Sequence, residues 1–151
     1  MTIVHLFHCP SHVYAGHHGR PPGTAPMIDT PALRLVAGRG VEGDRYFGVG
    51  AASQVTFFAE EVWLRLCTEL GRVDRSPAVF RRNVIVRGAD LKALIGADFE
   101  VQGVRFHGVE HCRPCYWMDQ AFAPGAADWL KGRGGLRAII LSDGWLRRDP
   151  Q

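Results

Sequence analysis

Lysine is almost missing from this chain of 151 residues: Lys92 and Lys131 stand against sixteen arginines. That scarcity argues against a covalent pyridoxal site, because arginine cannot act as a Schiff-base amine. Long apolar runs are missing too. None approaches the roughly 20 residues of a membrane helix, and residues 1–9 lack the hydrophobic region and cleavage site of a signal peptide. Cytoplasm is the expected location, and reducing conditions there favour reactive or metal-binding thiols over disulfides. No basic run resembles a nucleic-acid stripe, since Arg81-Arg82 and Arg147-Arg148 are only pairs and the formal charge is +3. Neither nucleic acid nor a membrane is an expected partner.

What is present fits one globular domain over residues 1–151, long enough for a substantial core. Strand-like runs are expected at 2–7, 31–37, 53–58, 84–86, 104–109 and 136–141, with residues 96–103 a further strand joined to 104–109 at the glycine. The clearest helix is 60–70, where Val62, Trp63, Leu66 and Leu70 recur at helical spacing; Cys67 on it reads as core. Shorter helices are expected at 89–95, 119–123 and 124–131. Many short strands with few helices between them predict a mixed α/β, mainly β fold. The expected form is an antiparallel or mixed sheet closed into a β-barrel, with a few short peripheral helices.

Four stretches carry chemistry. Five of the seven histidines fall within the first eighteen residues, so His8, Cys9, His12 and His17 are possible metal ligands, although their spacing matches no zinc module. The loop Gly40-Val41-Glu42-Gly43-Asp44-Arg45 has glycines that allow close approach to a ligand; Asp44 and Arg45 either orient an anion contact or simply close a turn. Arg81-Arg82-Asn83 stands at the mouth of an apolar strand, which suggests an anion site or, equally, solvent-facing strand ends. Finally, Cys112-Arg113-Pro114-Cys115 places two thiols three positions apart. Arg113 and the amides of a following helix would lower a thiol pKa there, with Cys115 the more activated. A buried structural pair is the plain alternative.

Taken together, the Gly40–Arg45 loop, the stretch from Arg81 through Leu91 and the Cys112–Cys115 motif resemble the MOSC domain, the C-terminal module of molybdenum cofactor sulfurases that also occurs as standalone bacterial proteins. The resemblance implies a β-barrel-like fold and binding of the molybdenum cofactor (molybdopterin), or sulfur transfer. It implies Cys115 as molybdenum ligand or sulfur carrier, with Cys112 as resolving partner. Arg45, Asp44, Arg81, Arg82, Asn83 and Arg113 are then expected around the cofactor. The arginines suit its phosphate and Asn83 the pterin edge. The implied partners are the cofactor itself or a sulfur-donor or sulfur-acceptor enzyme, and reduction of N-hydroxylated compounds is one implied activity. Tyr46 departs from the family's frequent histidine at that place. No aminotransferase-like desulfurase region is visible, so mobilising sulfur from cysteine is not expected of this chain alone. The alternatives are a non-catalytic cofactor carrier and a zinc-stabilised barrel using His111, Cys112 and Cys115.

Overall fold

The computed structural model describes residues 1–12, 25–50 and 54–150. Ten strands and three α-helices follow in order: β1 Thr2–His8, β2 Ile28–Asp29, β3 Ala32–Val36, β4 Gly40–Val41, β5 Val55–Ala59, α1 Glu60–Glu69, β6 Val84–Arg87, β7 Asp98–Val101, β8 Val104–His111, α2 Trp117–Ala121, α3 Ala126–Trp129, β9 Leu136–Ile140 and β10 Gly144–Arg147. A 3-10 turn, Pro77–Phe80, precedes β6. Seven strands form one sheet in the order β2-β1-β6-β5-β9-β8-β7, and β10-β3-β4 form a second. Among the described residues no helix is long and apolar enough to cross a membrane.

The mixed, mainly β composition is as expected, but the closed barrel is not. Both sheets are open. The reason lies in β5 and β6, which pair in parallel. A parallel pair needs a crossover, here α1, and that crossover covers one face of the sheet. The small sheet covers the other, so both apolar faces are buried without closure. Alternation along the central strands supplies both sides. Val55, Phe57, Val84 and Val86 join the core beneath the small sheet, with Leu33, Leu35 and Leu146. Phe58 and Ile85 join the helix layer, with Leu66, Cys67, Met118 and Phe122.

Two other expectations shift. Residues 89–95 make only a turn, because Asp90 Oδ1 accepts from the Lys92 and Ala93 amides and Ile95 then bridges to Gly108. That leaves too few residues to propagate a helix. After the cysteines, α2 has the expected five residues but starts two positions earlier, and α3 is shorter than the expected 124–131, at four residues.

Phe57 is fully buried and meets Phe99 and Phe106 edge-on at centroid distances of 5.5 and 5.3 Å. Phe57→Ala should therefore destabilise the protein by about 3–5 kcal/mol. Chemical denaturation checks this, and a loss below about 1 kcal/mol would contradict the two-layer core described here.

Candidate functional site

The site forms beside the large sheet, where the ends of β1 and β8 and the starts of β6 and β9 come level with Phe57 of β5. Three loops meet there: the segment after β1, the Gly43-Asp44-Arg45 turn and the Arg81-Arg82-Asn83 approach to β6. Asp44, buried at 8% exposure, ties them together. Its Oδ2 accepts from the Cys9 amide at 3.1 Å and from Asn83 Nδ2 at 3.2 Å, and lies 3.7 Å from the Arg45 guanidinium. Its Oδ1 accepts from the Tyr46 amide at 3.1 Å.

Asn83 is equally committed. Its Oδ1 accepts from the Thr56 amide and hydroxyl at 3.1 and 2.9 Å, while Nδ2 donates to the Phe7 carbonyl as well as to Asp44. An amide side chain has two donors and two acceptor lone pairs, so this network uses all of Asn83. Asp44 and Asn83 are thus frame residues, and the arginines they position face the opening. Asn83→Ala should lower stability by about 2–4 kcal/mol, since it leaves partners on β1, β5 and the Gly43-Asp44-Arg45 turn unsatisfied. A urea midpoint close to that of the unsubstituted protein would contradict this.

The cleft has two adjoining lobes of about 160 and 190 Å³. Arg45, Tyr46, Arg81, Arg82 and Arg137 line both. Gln54, Thr56, Asn83 and Cys112 complete the inner, more polar lobe. Cys115, Arg113 and the apolar Phe58, Phe80, Met118 and Leu130 complete the outer one. The arginines are held from behind. Arg82 donates to the carbonyls of Gly134 and Phe80 at 3.0 and 2.9 Å, and Arg81 donates to the Ala25 carbonyl at 2.9 Å. Arg45 stacks over the Tyr46 ring at 4.7 Å, and His12 meets that ring edge-on at 5.1 Å.

The two cysteines of the motif occupy different environments. Cys112 is buried at 1% exposure while Cys115 is exposed. Two glycines set this arrangement. A Cβ on Gly134 would lie 2.0 Å from the Cys112 carbonyl oxygen, and one on Gly135 would lie 2.1 Å from that of Phe57. The chain entering β9 therefore presses directly against the end of β8, and Cys112 is anchored by its amide donating to the Gly135 carbonyl at 2.8 Å. The helix after Cys115 begins two residues later and is five residues long, so its dipole is small. Exposure, rather than that helix, distinguishes Cys115.

Of the expected site residues, Cys112, Cys115, Arg45, Arg81, Arg82, Asn83 and Arg113 line the cleft, and Asp44 belongs only to the frame behind Arg45. Sequence reasoning missed Arg137, Tyr46, Gln54 and Thr56. Arg137 carried a readable signal, as the one charged side chain in the apolar run 136–141. Among the described residues no three His, Cys, Asp or Glu side chains gather to hold a metal ion, which leaves the zinc alternative of His111, Cys112 and Cys115 without support. His17, one candidate of the N-terminal set, lies outside the described residues.

A model of the MOSC domain family matches residues 41–147. The chain belongs to the MOSC domain family. The YuaD protein of Bacillus subtilis shares its fold at a TM-score of 0.73 and 18% identity, over 97% of this chain and 92% of that one. YiiM of Escherichia coli aligns at 0.65 and 18% identity, over 99% of this chain and 67% of that one. YiiM of Geobacillus stearothermophilus aligns at 0.71 and 12% identity, over 97% and 70%. No curated protein matches the chain in sequence. At these identities the likeness is one of fold alone.

Beside the cleft, burial holds the His111 imidazole below its ordinary value of 6.5; Gly135 opposes this through a hydrogen bond, and Lys92, Arg82 and Arg113 add to it. Burial also lowers His5, with Asp29 opposing. Lowered folded values mean that the unfolded chain binds these protons first. The stability they contribute is therefore present above about pH 6.5 and is lost as pH falls through the lowered values. The urea midpoint should fall on acidification below about 6.5, and less so in His5→Gln and His111→Gln. A midpoint whose pH dependence is identical in those variants would contradict the assignment.

Proposed function

We propose that this MOSC domain binds a phosphate-bearing molybdenum cofactor in the arginine-walled cleft, with Cys115 as the thiol that meets the metal. The observation that supports the reading most is convergence: Arg45, Arg81, Arg82 and Arg137 line both lobes of a cleft that also carries the exposed thiol of Cys115. Guanidinium groups match phosphate geometry, and a thiolate is a suitable ligand for a soft metal centre. The donor set therefore fits such a group at both of its ends. Arg45, Arg81, Arg82 and Arg137 would hold the phosphate, Cys115 would face the metal, and the aromatic floor of Phe58 and Phe80 would exclude water beneath it. When bound, this cofactor supplies two-electron redox chemistry, including reduction of N-hydroxylated compounds with electrons from a separate partner.

Exposure of Cys115 beside a buried Cys112 favours a second reading, sulfur carriage. In it the Cys115 thiolate attacks the terminal sulfur of a persulfide on a donor enzyme. A new sulfur–sulfur bond forms on Cys115, the donor's own breaks, and the donor leaves as a thiolate.

Arg81→Ala should weaken binding of inorganic phosphate by about 1.5–3 kcal/mol, the loss of one charged hydrogen bond, as read by calorimetric titration. Cys115→Ser should abolish molybdenum or persulfide loading with the fold intact, whereas Cys112→Ser should retain much of it. A Cys115→Ser protein that loads normally would overturn the assignment of the thiol.

A further inference from the structure

Arg81 has an unusual backbone as well as a special position. Among the described residues it is one of two non-glycines with positive φ, at 55°, where it ends the 3-10 turn before β6. Side-chain-bearing residues rarely adopt this conformation, and it persists where surrounding contacts over-determine it. One of those contacts is a thiol. Arg81 Nη2 donates to Cys9 Sγ at 3.2 Å, alongside the bond from Nη1 to the Ala25 carbonyl.

Cys9 is fully buried, and every polar group it has is engaged. Its thiol lies 3.2 Å from the Ser11 carbonyl and 3.3 Å from that of Pro26, either of which accepts from S–H. Its amide donates to Asp44, and its carbonyl accepts from the Arg45 amide at 2.8 Å. A cysteine that merely fills core volume has no need of a cation; Cys67, packed among the apolar side chains of the helix layer, is such a filler. Through one residue, then, the segment just after β1 reaches both Arg45 and Arg81.

We propose that Cys9 is a positioning residue of the cleft: its sulfur is the fixed acceptor that holds the Arg81 guanidinium in place, while its S–H is spent on a carbonyl behind it. The value of this inference for ligand binding rests on reading the cleft as an anion site; the contact itself does not. A hydroxyl can accept and donate in the same way, so serine is the conservative replacement. Valine keeps the bulk and removes the acceptor.

Two measurements separate the levels. The first is NMR of the arginine guanidinium groups, in which hydrogen-bonded Nη groups rotate slowly about the bond to Cζ. Arg81 should show slow rotation in the unsubstituted protein and in Cys9→Ser, and faster rotation in Cys9→Val. Rotation equally slow in Cys9→Val, or fast in the unsubstituted protein, would overturn the proposal whatever the cleft binds. The second is the affinity for inorganic phosphate. Cys9→Val should lose about tenfold, the lower end of one hydrogen bond to a charged group, with Cys9→Ser within about twofold of the unsubstituted protein. The loss should vanish in an Arg81→Ala background, which a purely structural role for Cys9 would not produce. An equal loss in that background would overturn the proposal. Unsubstituted protein that ignores phosphate would instead overturn the anion reading and leave the NMR outcome to decide the role of Cys9.

Discussion

A single buried carboxylate organises the functional end of this molecule. Asp44 accepts from the Cys9 amide, the Asn83 side chain and the Tyr46 amide, and it lies beside the Arg45 guanidinium. Burying a charge is costly unless it is paired and hydrogen-bonded, and here both oxygens are engaged, Oδ2 by two other loops. The carboxylate therefore fixes the relative positions of β1, the glycine turn and the approach to β6. Without it, the arginines would have no common origin.

The arrangement behind the cleft follows one rule: polar groups that look available in sequence are used to hold others. Asn83 spends all its hydrogen-bonding capacity on Thr56, Phe7 and Asp44. Carbonyls of Ala25, Phe80 and Gly134 grip Arg81 and Arg82. Such support restricts side chains that otherwise lose considerable rotamer entropy on binding, which is how preorganisation raises affinity. The outer lobe then offers an apolar floor and one exposed thiol beside a cationic wall.

Much of this was legible in the sequence, for reasons tied to residue type. Arg81-Arg82-Asn83 before an apolar strand and the Gly43-Asp44-Arg45 turn announced polar chemistry where packing has no use for it. The Cys112–Cys115 spacing located the cleft's mouth. Closure of the sheet was misjudged because strand count carries no register, and the parallel pairing of β5 with β6 through α1 cannot be read from alternation alone. Arg137 was passed over because a charged residue inside an apolar run looks like an edge position until its cross-strand neighbours Thr56 and Glu110 are known. Cys9 looked like a metal ligand among histidines, and only the fold brings Arg81 to it from 72 positions away. Long-range pairings of this kind decide a site and leave little trace in local pattern.

The most direct test of the central claim is the content of the protein itself, purified from a molybdenum-replete host. Metal analysis by mass spectrometry is combined with fluorescence of the oxidised pterin released on denaturation. An arginine-walled, thiol-bearing cleft that holds the cofactor predicts molybdenum and pterin co-purifying in matching amounts, below or up to one per chain. Stoichiometric zinc without pterin, or protein devoid of both molybdenum and pterin after such growth, would contradict it.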